Sequence, residues 1–234
     1  MSDSTAALIP LGRLRDSYDL LGYEWDDSLQ GYVVYCNNTG FRGTIEVPAE
    51  YNRSPVLGVK QNGFASSNAT AIILPEGLTC IYSGALACQS LRYLYLPDSV
   101  TSFSSSWCTT FLVSGIHIPS LRLPKSLTHV TGLARFSADV LWIPETIKDV
   151  EFFSDVDQSI DCRFGKIFFE GKPDEISIEI QGNLSTFGVD ELYVAWSKGE
   201  SPSVRLADVS TSSSVSFEEA FPNSKIYYNY KAQT

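Results

Sequence analysis

Short apolar runs recur along this chain, and most of them stop at a proline. Ala71-Ile72-Ile73-Leu74, Tyr93-Leu94-Tyr95-Leu96, Ser120-Leu121-Arg122-Leu123 and Val140-Leu141-Trp142-Ile143 lead into Pro75, Pro97, Pro124 and Pro144. Behind each proline stands the same phrase: polar, small polar or Gly, aliphatic, Thr or Lys, variable, apolar. It runs from Pro75 to Ile81, Pro97 to Phe103, Pro124 to Val130 and Pro144 to Val150, with the prolines 22, 27 and 20 residues apart. Apolar side chains at alternate positions predict a strand with one buried face. Proline lacks a backbone N–H and has a fixed φ, so it ends the ladder and starts a turn. The aliphatic residue and the apolar one three places later then return over the core on a second wall.

The repeat extends beyond these four copies. Thr44-Ile45-Glu46-Val47 precedes Pro48, and three later copies lack the proline: Lys166 to Phe169, Glu191 to Val194 and Lys225 to Tyr228. The residues that follow the eight runs are 27, 22, 27, 20, 26, 25 and 34 positions apart. Solenoid repeats of the leucine-rich kind take ~20–29 residues per turn, and only the last interval overshoots. One coil cannot bury its own apolar face, whereas parallel coils stacked ~4.8 Å apart bury all of them. The expected fold is therefore mainly β: a leucine-rich-repeat-like solenoid of about eight coils with a parallel sheet and an N-terminal hairpin cap. One core column holds Ile45, Ile72, Leu94, Leu121, Leu141, Ile167, Leu192 and Ile226; the other holds Val47, Leu74, Leu96, Leu123, Ile143, Phe169, Val194 and Tyr228. The fourth strand has two possible registers, since Ile116-His117-Ile118-Pro119 also fits.

The phrase resembles that of the BspA-type leucine-rich repeat family. Ala85 to Leu91, around Cys88, is similar to the family's return stretch, with Leu86 where the family has an aromatic, and Trp107-Cys108 matches it loosely. Tyr23 to Asp26, Tyr32 to Tyr35 and Gly43 to Pro48 resemble a hairpin that caps the first coil. This division places an arm at 1–19, the capping hairpin at 20–42 and the solenoid at 43–230, eroded from about 165. Glu191 to Glu200 and Phe221 to Tyr230 are similar to the closing module of repeat proteins encoded among bacteriophage structural genes, with Ala195 where that module has proline. The resemblance implies a virion component, head- or tail-associated, whose partners are other virion proteins or a host surface molecule. A BspA-like bacterial adhesin is the alternative.

Strand alternation exposes the residues between the core columns: Glu46, Ile73, Tyr95, Arg122, Trp142, Phe168, Tyr193 and Tyr227, with Tyr93 beside the row. Five of these eight are aromatic. Two readings stay open: a cross-strand ladder that stabilises the sheet, or an interface for other protein chains. Residues 1–19 include Leu8, Ile9, Leu11, Arg13 and Arg15, and are read as an arm that anchors in a neighbouring subunit or as a strap on the first coil.

Charge and chemistry narrow the choice. The 17 basic and 27 acidic residues leave a net −10, which disfavours nucleic acid and anionic membranes as partners. No apolar run nears the ~20 residues that cross a bilayer, so membrane insertion is not expected. Met1 to Pro10 has neither the basic nor the apolar region of a signal peptide, so synthesis in a host cytoplasm and arrival in a virion by assembly are expected. The five cysteines lack Cys-x-x-Cys spacing and read as reduced, buried thiols. Two histidines, His117 and His129, have no nucleophile motif beside them, and no phosphate-binding loop occurs. Asp155, Asp157 and Asp161 alternate as in a calcium loop, but Ile160 and Lys166 stand where Gly and Glu are required. No catalytic residue, metal site or cofactor is assigned. A glycan-active enzyme or glycan-binding module using Tyr95, Trp142 and Phe168 as a platform is the remaining alternative.

Overall fold

The structure is a computed structural model, and it describes residues 20–103, 116–133, 136–154, 162–182, 187–207 and 212–231. In chain order the strands are β1 (Leu21–Asp26), β2 (Gly31–Cys36), β3 (Arg42–Glu46), β4 (Glu50–Tyr51), β5 (Ser54–Val59), β6 (Asn68–Ile73), β7 (Cys80–Ile81), β8 (Tyr93–Tyr95) and β9 (Ser102–Phe103). Then follow β10 (Ile116–Arg122), β11 (His129–Leu133), β12 (Phe136–Ile143), β13 (Asp149–Ser154), β14 (Cys162–Phe169), β15 (Ser177–Gly182), β16 (Phe187–Val194), β17 (Ser203–Ala207) and β18 (Ser212–Val215). One turn of helix, α1 (Phe217–Ala220), precedes β19 (Lys225–Tyr227).

The chain winds as a parallel β-solenoid of the leucine-rich-repeat type, between two walls. The strands before the prolines form wall one, in the order β3-β6-β8 and then β10-β12-β14-β16-β19. The strands after the prolines form wall two, β2-β5-β7-β9 and then β11-β13-β15-β17. Wall two closes at each end with an antiparallel strand, β1 on β2 and β18 on β17. Among the described residues seven turns have a strand on both walls, and β19 adds an eighth strand to wall one only. The expected count of about eight coils therefore differs slightly from the turns seen among the described residues.

Each proline phrase performs the same act. The N–H groups of Leu78, Val100, Leu127 and Ile147 donate to the carbonyls of Pro75, Pro97, Pro124 and Pro144 at 3.1–3.3 Å. This four-residue turn swings the aliphatic side chain inward, and all four are at most 2% exposed. The register follows the sequence columns: Ile45 pairs with Ile72 and Ile72 with Leu94, then Leu121, Leu141, Ile167, Leu192 and Ile226 pair in succession. At the last described strand Ile226 and Tyr228 are only partly buried.

Two features depart from the sequence reading. Among the described residues the ladder pairing of each wall falls into two parts, with β8 not paired to β10 and β9 not paired to β11. A single hydrophobic core still spans both parts. Between them, the Ser126 N–H donates to the Asp98 carbonyl at 3.2 Å and the Lys125 N–H to the Asp98 carboxylate at 3.1 Å. The wall-one strands β10, β12, β14 and β16 are also seven or eight residues long. In β10 both candidate registers are used, for Ile116 and Ile118 extend the strand that Leu121 ends. Four buried positions recur: Ile116, Ile118, Leu121 and Leu123, then Phe136, Ala138, Leu141 and Ile143, then Cys162, Phe164, Ile167 and Phe169. Between the second and third of each set two consecutive residues face outward, so each strand turns a corner there.

Candidate functional site

Cross-strand register brings the outward aromatics of wall one into one column. Trp142 lies beside Phe168, Phe168 beside Tyr193 and Tyr193 beside Tyr227. Their rings stack face to face, with centroids 5.4, 4.5 and 4.7 Å apart and planes within 12–17° of parallel. That spacing is close to the ~4.8 Å between neighbouring strands, so the rings stand on the sheet and meet solvent by their edges. A sugar platform needs exposed ring faces, and the neighbours cover these.

Further contacts flank the column. The Arg122 guanidinium reaches past β12 to hold the Glu170 carboxylate with two bonds, at 2.8 and 3.2 Å. After β19 Asn229 adopts a left-handed backbone (φ 57°) that a short polar side chain tolerates. This turn lays Tyr230 against Phe168 (4.9 Å) and Tyr193 (5.7 Å). The Tyr193 hydroxyl donates to Glu191 at 2.8 Å, and that carboxylate pushes its pKa up to about 12. Lys166 lies 5.8 Å from the Tyr193 ring and pairs with Glu191 at 3.4 Å.

The other predicted row members stand apart from this column. Glu46, Ile73 and Tyr95 pair with one another in the first half of wall one. Tyr95 is 41% exposed, and its hydroxyl donates to Glu76 at 2.6 Å, which raises its pKa to about 12. Tyr227 is likewise 41% exposed, while Trp142, Phe168 and Tyr193 are half-buried. The arm residues Leu8, Ile9, Leu11, Arg13 and Arg15 lie outside the described residues, as do Trp107-Cys108 and the run from Asp155 to Asp161.

Sequence reasoning missed Tyr230, which packs on Phe168 and Tyr193, and Glu170, which holds Arg122. The signal for Tyr230 was the terminal Tyr-Asn-Tyr, which the structure explains residue by residue. Ile226 faces the core, Tyr227 joins the column, and Tyr228 packs on the core with its hydroxyl on Glu218; Asn229 then turns the chain. The Trp-Ser-x-Gly-Glu sequence is the other half of the same clamp. Trp196 is 3% exposed against Phe169 and Phe217, and its carbonyl accepts the Asn229 N–H at 2.9 Å. The Ser197 N–H donates to the Glu200 carboxylate at 2.8 Å across a turn that needs left-handed Gly199 (φ 96°). Helix α1, with a complete capping box between Ser216 and Glu219, presents Phe217 to this plug. Trp196 and Phe217 thus pack together at the last coil.

Reactive chemistry is sparse. His117 Nδ1 lies 3.0 Å from Ser137 Oγ, and its Nε2 lies 3.5 Å from Asp139 Oδ1. A serine, a histidine and an aspartate in contact invite a nucleophile reading. However, the Asp139 side chain is 68% exposed and the imidazole 43%, so water competes for both. His129 pairs with Asp149 at 2.5 Å on wall two, also in the open. Burial raises the thiols of Cys88 to about 11 and Cys162 to about 12, which leaves them as core filler. Among the described residues no cluster of three or more His, Cys, Asp or Glu side chains could hold a metal ion, and no helix is long and apolar enough to cross a membrane.

No family model matches the chain, and no curated protein matches it. Among solved structures it is similar to a T. pallidum leucine-rich repeat protein (TpLRR), at 16% identity and a TM-score of 0.46, over 80% of this chain and 79% of that one. It is also similar to a leucine-rich repeat protein from Bacteroides ovatus, at 13% identity and a TM-score of 0.33, over 81% of this chain and 77% of that one. The assignment of this chain to a leucine-rich-repeat-type solenoid rests on its own ladder register and repeated proline turns.

Proposed function

We propose that this chain is a non-catalytic interaction module and that its partner is another protein chain. The observation that carries the reading is the pre-ordered outer surface of wall one. Tyr95, Arg122, Trp142 and Tyr227 stand on a rigid sheet, with Arg122 already held by Glu170. Tyrosine, tryptophan and arginine are the residues that dominate binding energy at protein interfaces, and fixing them in advance lowers the entropic cost of association. The edge-on rings favour a protein over a sugar. The net charge of −10 argues against nucleic acid and anionic lipid.

The module belongs, in this proposal, to a bacteriophage virion, with residues 1–19 anchoring it in a neighbouring subunit. Support comes from the likeness of Glu191 to Glu200 and Phe221 to Tyr230 to the closing module of phage structural repeat proteins, and from the apolar and basic character of Leu8 to Arg15. Mass spectrometry of particles released from the source culture tests it. The chain is expected in purified particles at a fixed ratio to their major proteins, and its absence overturns the virion assignment. Limited proteolysis tests the arm: trimming before assembly and protection afterwards are expected, and equal resistance in the free chain overturns anchoring. For the surface, Arg122→Ala combined with Tyr227→Ala is expected to reduce incorporation at least tenfold with the fold intact; undiminished incorporation rejects wall one as the interface.

A further inference from the structure

A second concave site lies on the outer surface, where the corners of β10, β12, β14 and β16 meet. It is a groove of about 340 Å³, and His117, Ser137, Asp139, Arg163, Gly188 and Asp190 line it. His117 pairs in register with Ser137, and Arg163 with Gly188. Here two adjacent strands carry glycine, Gly165 on β14 and Gly188 on β16. At Gly165 the reason is steric: a Cβ would stand 2.7 Å from the Asp139 carbonyl oxygen. No such reason exists at Gly188, where a Cβ would meet only the Arg163 side chain, at 3.6 and 3.8 Å, which is ordinary contact. Its backbone is not in the left-handed region either. A glycine inside a strand marks a tight bend or a close approach by a ligand or another backbone, and at Gly188 the missing side chain leaves the groove open.

The lining fits one class of ligand. Carboxylates accept hydrogen bonds, a guanidinium donates, and imidazole and hydroxyl groups do either. A polyol needs all of these at once, because each hydroxyl both donates and accepts. Two aspartates against one arginine leave the groove without net positive charge, in a chain of net −10, so an anionic ligand would be repelled. A groove of this size is at the small end of ligand sites and takes one or two sugar rings. We propose that the groove is a binding site for a neutral saccharide. It lies on the same wall as the aromatic column and shares none of its residues.

Saturation-transfer NMR on the full chain, with glucose, galactose, N-acetylglucosamine and maltose as probes, tests this. At least one probe is expected to bind saturably with a dissociation constant of about 1–10 mM, the range for so small and polar a ligand. Gly188→Leu, which fills the groove and leaves every polar group in place, is expected to weaken that binding at least tenfold. Asp190→Asn, at an exposed side chain, is expected to weaken it by a similar factor while the unfolding midpoint stays unchanged. Saturable binding by none of the four overturns the proposal, as does binding that survives Gly188→Leu. Tighter binding of sialic acid than of any neutral probe overturns the choice of a neutral ligand. Arg122→Ala leaves saccharide binding intact, so failure here and failure of the wall-one interface are told apart.

Discussion

The two halves of the solenoid obey the same proline phrase and fill their cores differently. In the first half wall one is short, ending in the three residues of β8, and the return path supplies the bulk. Phe64, Leu86, Cys88 and Leu91 are fully buried there, and the Cys88 thiol donates to the Phe64 carbonyl at 2.9 Å. In the second half the strands reach eight residues, and phenylalanines fill the wider interior. Phe164 touches Phe136, Phe152 and Phe187 edge to face, with centroids 5.5–6.4 Å apart. The repeat phrase looks worn in this half, yet its ladders are the longest and most regular in the molecule. Loss of the phrase is therefore not loss of the coil: once neighbours fix the register, a rung needs only its inward side chains.

The comparison breaks first in the core. Phe164→Ala is expected to cost about 3–5 kcal/mol, against about 2–4 kcal/mol for Leu86→Ala, because it leaves the larger cavity and also removes three edge-to-face ring pairs. Urea unfolding midpoints measure the two, and a smaller loss at Phe164 would mean the second half relaxes more easily than its packing implies. Next in size is the corner. Gly165→Ala forces a Cβ to 2.7 Å from a backbone oxygen, and the strands must part at a cost of about 1–3 kcal/mol; Gly77→Ala in the first half meets nothing and pays only for its φ of 93°.

The aromatic column gives a smaller contrast. Tyr193→Ala removes two stacked neighbours and is expected to destabilise by about 1–2 kcal/mol, while exposed Tyr95→Ala costs about 0.5 kcal/mol or less. Equal effects would show that stacking adds nothing beyond area. Smallest is the acid response of the hairpin cap. Hydrogen bonds from Ser28 and then Tyr82 hold the Asp26 carboxyl below its ordinary value of 3.8. A depressed carboxylate contributes stability above the unfolded pKa and loses it as pH falls through the folded one. Melting temperature should therefore drop below about pH 4 in the wild type, and Asp26→Asn should be less stable at pH 6 with a flatter decline between pH 4 and 2.

The aromatic column shows how far the sequence reaches. Alternation within four-residue runs names Trp142, Phe168, Tyr193 and Tyr227 as outward neighbours, because a strand has period two and the coils repeat. It does not say that the rings stack by their faces, which depends on the strand spacing and on rotamers that neighbours select. Nor does it find Glu170, which reaches Arg122 across an intervening strand, or Tyr230, which returns only after a left-handed turn at Asn229. The groove at the corners was invisible for a similar reason: Gly165 and Gly188 are 23 positions apart in the chain and come to line one groove only once β14 and β16 are paired.

From the amino-acid order alone came the solenoid, its proline turns and both inner columns, since each depends on local periodicity and on a residue without an N–H. Tertiary structure alone decided how the described strands pair within each wall, the corner that lengthens the wall-one strands, the packing of Trp196 and Phe217 at the last coil and the face-to-face stacking of the outward row. Those outcomes depend on which side chains from different coils meet across space, and a one-dimensional repeat holds no record of that.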